Sequence, residues 1–148
     1  MRNDRLRIGF RAGLVGGATT AGALVGLGLR HAAAAAPFEA GGRALLQSWH
    51  VGFVAAPVAI VTGFAAHLLW MTLWGVCFAR AATQLRGPAL AAGAVIFVAL
   101  IGALSATIVP GALGAAAPAA LTLAQTLFFL ALLAAGLTAG VSLARKLP

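Results

Sequence analysis

Polar residues are sparse along this chain and fall in groups, and between the groups run four apolar stretches. The first extends from about Ile8 to Leu29, follows Arg2, Arg5 and Arg7, and closes on Arg30 and His31. Arg11 lies near enough to its start for the side chain to reach back toward lipid headgroups. The second runs from His50 to Phe78 and stops before Arg80 and Arg86. The third opens on Gly87-Pro88, where proline suits a first helical turn, and ends at Val109 before Pro110. The fourth opens near Pro118 and ends at Leu143, ahead of Arg145 and Lys146.

Each stretch reaches the roughly 20 helical residues that a bilayer core requires. All are continuous and rich in Ala and Leu, whereas strands of a lipid-facing barrel are short and alternate in polarity. The pattern therefore predicts helices over about 8–30, 50–79, 88–109 and 118–143, an all-α integral membrane four-helix bundle that forms one domain over 1–148. Between the first two, Phe38, Leu45, Leu46 and Trp49 recur at helical spacing, and Glu39 stands four residues before Arg43. An interfacial helix over 38–48 competes there with a polar loop.

Composition sharpens the class. Hydrophobic residues make up 62% of the chain and charged residues 8%, with a mean hydropathy of +1.04. Too few charges are present to cover a water-soluble domain. The net charge of +8 does not point to nucleic acid, because the basic residues flank the apolar runs instead of gathering on one face among aromatics. Of the ten Lys and Arg residues, Arg30 and Arg43 fall on one side of the predicted topology and the other eight on the opposite side. The positive-inside rule then places both termini in the cytoplasm. A basic start followed by "HAAAAAPFEA" also resembles a secretory signal, but the first apolar run exceeds the roughly 7 to 15 residues of a signal core and is read as a retained helix.

Candidate chemistry is thin. His50 and His67 bracket the second run, but seventeen residues of helix separate them by about 25 Å and a quarter-turn, so they cannot share one metal ion or haem iron. Trp49 and Trp70, about 31 Å apart on the same predicted helix, mark the two membrane faces. His67 lies roughly 16 Å inside the cytoplasmic end, too deep for easy hydration. It forms one stripe with Trp70, Met71 and Trp74 at i, i+3, i+4 and i+7. That stripe is the candidate ligand-binding set, with bundle packing and an interhelical hydrogen bond from His67 as the alternatives. Pro57 is expected to kink the same helix by crowding the carbonyl of Phe53.

Gly9, Gly13 and Gly17 fall four apart, as do Gly22 and Gly26, a spacing that lets helix backbones approach in lipid. Their contact is expected to be internal, against the Trp70 stripe, or with a second copy. They lack the Gly-Lys-Ser/Thr ending of a phosphate loop. Gln125 lies at the depth of Ser105 and Thr107, which suggests a hydrogen bond between the last two helices. His31, Glu39 and His50 match no metal motif, and no metal or cofactor is expected. Asp4 and Glu39 are the only acids and lie outside the apolar runs, so no carboxylate can carry protons or cations within the membrane. Neither paired carboxylates nor a nucleophile with a base and an orienting acid is present. Cys77 has no partner for a disulfide within the chain.

The segment "HLLWMTLWGVCFARAATQLRGPALAAGAVIFVALIGAL" resembles the YagU-like family of small bacterial four-helix inner-membrane proteins. The likeness lies in His67 with Trp74-Gly75-Val76 and Phe78-Ala79, in Arg86-Gly87-Pro88, Gly93 and Pro110, and less closely in "AGLVGG", Gly136 and Gly140; it covers about half the chain. Relatives often carry a histidine and a tyrosine before the glycine of the last helix, where this chain has Leu132 and Ala135. The resemblance implies a four-helix membrane protein, a tie to envelope stress such as acid exposure, and no catalytic residue.

These readings converge on a non-enzymatic structural or accessory membrane protein, in contact with lipid and with itself or another membrane protein. Two rivals stand beside it: binding or passage of a small apolar or neutral solute between the helices, and a haem- or quinone-contacting anchor subunit built on His67.

Overall fold

The computed structural model describes residues 2–113 and 121–146, and regular structure among them is entirely helical. The elements are α1 (Arg2–Leu29), α2 (Ala36–Ser48), α3 (Ala56–Ala81), α4 (Gly87–Leu113) and α5 (Leu123–Ala144). Of these, α1, α3, α4 and α5 are long and apolar enough to cross a membrane. Their outward faces are correspondingly greasy: Val61, Leu69, Ile96, Leu100 and Phe128 are all exposed. Water would be a poor solvent for that surface.

α1 is the central helix, antiparallel to α3 on one side and to α5 on the other. Toward α3, a Cβ placed on Gly9 would strike the main chain of Val76, and one on Gly13 the main chain of Thr72; from the other direction one on Gly75 would strike Gly13. Toward α5, Gly136 faces Gly16 and Thr19, and Gly140 faces Ala12. Lipid tails are as apolar as leucine, so helix association in a membrane leans on van der Waals contact, which grows as backbones draw together. α4 lies across the groove between α3 and α5. Its Leu90, Ala94 and Val98 join Phe78, Ala82, Leu133, Leu137 and Val141 in the buried core. Against α3 it works through rings, with Phe97 5.2 Å from Phe78 and 6.2 Å from Trp74 between centroids.

The short helix over 38–48 is present as α2, but it runs antiparallel along the first half of α3 instead of crossing the end of the bundle. Gly42 abuts the Ala59 carbonyl, Gly63 abuts the Phe38 carbonyl, and Phe38 meets Phe64 edge-on at 5.3 Å. Arg43 fastens its far end. It pairs with Glu39 at 2.7 Å and donates to the Val54 carbonyl at 2.9 Å.

The element boundaries depart from expectation in instructive ways. The second apolar run is not helical from His50: α2 ends there, and α3 begins at Ala56. Val51 N–H bonds to Leu46 O and His50 N–H to Gln47 O, with His50 at φ +58, the paired bonds and left-handed residue of a Schellman ending. Trp49 and Trp70 therefore do not share a helix, and the axial separation calculated for them does not apply. Ala32, at φ +54, closes α1 in the same way, through Ala33 N–H to Gly28 O and Ala32 N–H to Leu29 O. Pro57 produces no mid-helix kink because it lies in the first turn of α3, where its missing N–H would have had no partner. α4 continues through Pro110 to Leu113, as membrane helices can when other groups satisfy the freed carbonyl. α1 begins at Arg2, well before Ile8. The expected start of the last helix near Pro118 lies outside the described residues; α5 itself opens at Leu123 behind a capping box in which Thr122 and Gln125 each bond the other's backbone N–H.

The α1 interfaces yield a direct prediction. Gly13→Ala and Gly75→Ala force a methyl into facing main chain and should destabilise the protein by about 1–3 kcal/mol, the usual penalty for overpacking. Gly22→Ala and Gly26→Ala, where a new Cβ meets nothing within 4 Å, should leave stability unchanged. Thermal unfolding in mild detergent checks both; equal losses at all four positions would refute the assignment of the interface.

Candidate functional site

His67 lies near the middle of the 26-residue α3, on the ridge that also carries Gly63, Met71 and Gly75 at spacings of four. That ridge is the one the glycines of α1 admit, so the imidazole is drawn against the α1 backbone. Its Nε2 stands 3.0 Å from Thr20 Oγ1 and 3.2 Å from the Gly17 carbonyl oxygen. Thr20 is fully buried, the one polar residue in the core among the described residues. Its hydroxyl lies 2.8 Å from the Gly16 carbonyl, to which it donates. With that single proton directed back along α1, and with Gly17 O able only to accept, Nε2 must be the protonated nitrogen and the donor toward both. Nδ1 forms no hydrogen bond among the described residues.

Two rings enclose the imidazole. Phe38 of α2 approaches edge-on at 5.9 Å and Phe129 of α5 at 6.4 Å between centroids. His67 thus stands where α1, α2, α3 and α5 meet. The arrangement bonds a buried polar group in an apolar interior and uses it to fix the depth of α1 against α3.

The predicted stripe does not act as one surface. Met71, buried at 6% exposure, continues the ridge toward α1, where it faces Gly17. Trp70 and Trp74 instead lie on the neighbouring ridge, stacked edge-to-face at 5.3 Å, with Trp74 turned toward Phe97 of α4. Residues at i, i+3, i+4 and i+7 fan across a helix face; a glycine-to-glycine contact admits only its narrow centre, and the indoles fall to the flank. The glycines of α1 therefore meet Leu68, Met71, Thr72, Gly75 and Val76, and Trp70 does not supply the atoms nearest to them. The Trp74 indole N–H is buried without an acceptor among the described residues.

Of the five predicted packing glycines, Gly9, Gly13 and Gly17 meet α3, whereas Gly22 and Gly26 touch no facing helix. Beyond Thr19, α1 and α5 part and leave a crevice of about 650 Å³, lined by Gly22, Gly26 and Arg30 on one side and by Gln125, Phe128 and Leu132 on the other. The side-chain oxygen of Gln125 accepts the Thr122 N–H at 2.9 Å, and among the described residues it has no bond to Ser105 of α4. The side chain of Thr107 lies outside the described residues. No group of three or more metal-ligating side chains occurs among the described residues.

Thr20, Phe38 and Phe129 complete the His67 environment; Thr20 and Phe129 were not singled out in the sequence, and Phe38 only for the spacing of the short helix. Thr20 carried a usable signal, since the adjacent Thr19 and Thr20 are the only hydroxyl residues in the first apolar run and a buried histidine needs a partner at its own depth. The two phenylalanines carried none, for apolar residues abound at every depth.

Thr20→Val and His67→Leu test the bond as a pair. Each should lower stability, and a double-mutant cycle from unfolding in detergent should return a coupling of about 0.5 to 2 kcal/mol, the range of interhelical hydrogen bonds in membranes. Thr20→Ser should restore most of the loss. Additive effects would mean that the two side chains do not interact.

No family model, curated protein or solved structure matches the chain.

Proposed function

We propose that this chain is a multi-pass protein of the bacterial inner membrane, with both termini in the cytoplasm, acting as a structural or accessory component and not as an enzyme. One observation carries the reading. The polar side chain most suited to chemistry at depth, His67, directs its protonated nitrogen to Thr20 and Gly17, where it holds two helices in register. The orientation draws support from charge. Antiparallel packing gathers Arg5, Arg7, Arg80, Arg86 and Arg145 at the end of the bundle that bears both termini, and Arg30 and Arg43 at the other. The exposed apolar faces of α3, α4 and α5 suit lipid and a second membrane protein, another copy of the chain included. Membership of the YagU-like family belongs to the same proposal, and rests on the motifs quoted above.

A second reading, the binding of a small apolar solute, is favoured by the crevice between α1 and α5, whose Gly22 and Gly26 floor presents no side chains. A haem- or quinone-contacting anchor would have only Nδ1 of His67 to draw upon.

Two measurements on protein purified in mild detergent separate these roles. A visible spectrum should lack a Soret band; a stoichiometric band would overturn the accessory reading in favour of the haem anchor. An environment-sensitive apolar dye should show no saturable binding that Gly26→Leu abolishes, whereas such binding would favour the solute site. Reporter fusions at the two termini should both report the cytoplasm.

A further inference from the structure

At the end of the bundle that bears both termini, the first turns of α1, the turn between α3 and α4 and the end of α5 enclose a hollow of about 350 Å³. Arg5, Arg86 and Arg145 all line it, together with Thr83 and Gln84. Charge segregation explains why basic residues occupy this end, but not why three of them, from three separate parts of the chain, converge on one concavity.

Two of the three are held in place. Arg145 donates to Leu85 O at 2.8 Å and to Ala82 O at 2.7 Å, which fastens the end of α5 to the α3–α4 turn. Arg86 donates from one terminal nitrogen to Thr83 O at 3.1 Å and to Leu85 O at 2.9 Å. Each guanidinium keeps further N–H groups beyond these bonds. Arg5 has no hydrogen-bond or ion-pair partner among the described residues. Among the described residues no carboxylate lines the hollow. Glu39 pairs with Arg43 at the other end of the bundle, and Asp4 is not among the residues that line the hollow. Burial and the like charge of Arg86 both hold the Arg145 guanidinium below its ordinary pKa. Three cations thus share a site with no counter-charge supplied by the described residues.

We propose that this hollow binds a phosphate-class anion, with Arg5, Arg86 and Arg145 as charged donors and Thr83 and Gln84 as neutral ones. Guanidinium forks match phosphate oxygens in pairs, and arginine is the preferred residue where such geometry matters. The hollow lies where the apolar spans end, the level of lipid headgroups, and its Ile8 and Ala79 walls are apolar. An anionic phospholipid and a soluble phosphate compound both present that group; the chemistry of recognition is shared, and it holds whichever side of the membrane this end faces.

The test uses the full chain in mild detergent, with thermal unfolding, native mass spectrometry and two probes: phosphatidylglycerol, against phosphatidylcholine as the neutral control, and inorganic phosphate. Arg145 is left intact because it secures the turn. Arg5→Gln and Arg86→Gln should each weaken anion binding by about tenfold, as loss of a charge-assisted contact entails, and Arg5→Gln, which breaks no bond within the described residues, should leave the unfolding temperature in the absence of anion unchanged. Arg80→Gln, at the same end but off the hollow, should bind as the parent does. Retention of phosphatidylglycerol without a response to phosphate identifies a headgroup as the source; stabilisation by inorganic phosphate that competes with lipid identifies a soluble one. Binding of neither probe, or an equal loss in Arg80→Gln, overturns the proposal.

Discussion

The close approach of α1 to two neighbours at once is the constraint on which the remaining structure depends. In a membrane the helices gain little by exchanging lipid for one another's side chains, so contact area between backbones has to supply the attraction. Gly9 and Gly13 supply it toward Gly75 and Val76 of α3, while Ala12 and Gly16 supply it toward Gly136 and Gly140 of α5. The two faces lie side by side on one helix. Because α1 is held from both sides, α3 and α5 are set at the spacing that α4 then bridges with Phe97, Leu90 and Val98.

Register along that contact does the work that topology alone cannot. A glycine-to-glycine crossing at Gly13 and Gly75 brings Thr20 level with His67 a few residues on, and the hydrogen bond between them penalises any slip of α1 against α3. α2 repeats the device on a smaller scale, with Gly42 and Gly63 drawing it against α3 until Phe38 closes over the imidazole. The same economy governs charge. Of the few ionic groups, Arg43 joins α2 to the segment leading into α3, and Arg145 joins α5 to the turn between α3 and α4. Each acts at a helix end, where water or headgroups keep a cation from being stranded.

The two helix endings at Ala32 and His50 show what such packing asks of the backbone. Left-handed conformations in residues other than glycine carry a penalty of roughly 1–2 kcal/mol each. Both occur where α2 must turn back sharply, first against α1 and then into α3, and both are accompanied by the two hydrogen bonds that close a helix in this manner. Apolar continuity from His50 onward concealed the second of these endings, because hydropathy follows depth in the membrane and says little about where one helix stops and an extended segment begins.

Membrane-spanning length, helical class and the separation of basic residues were decided by the sequence itself, since each follows from local composition: an uninterrupted apolar run must satisfy its own backbone hydrogen bonds, and only a helix does so within one segment. The spacing of Gly9, Gly13 and Gly17 likewise announced a packing face. Which helix would meet it was a tertiary matter. Met71 and Trp70 are adjacent and equally apolar, yet one enters the α1 contact and the other stacks on Trp74 at its flank, because the width of a glycine groove selects among neighbours that hydropathy cannot tell apart. Gly22 and Gly26 share the pattern of Gly9 and Gly13 but face a crevice, since two helices that converge at one end can part at the other. The gathering of Arg5, Arg86 and Arg145 around one hollow is decided at the same level: side chains so far apart in sequence become neighbours only when three helix ends are brought together.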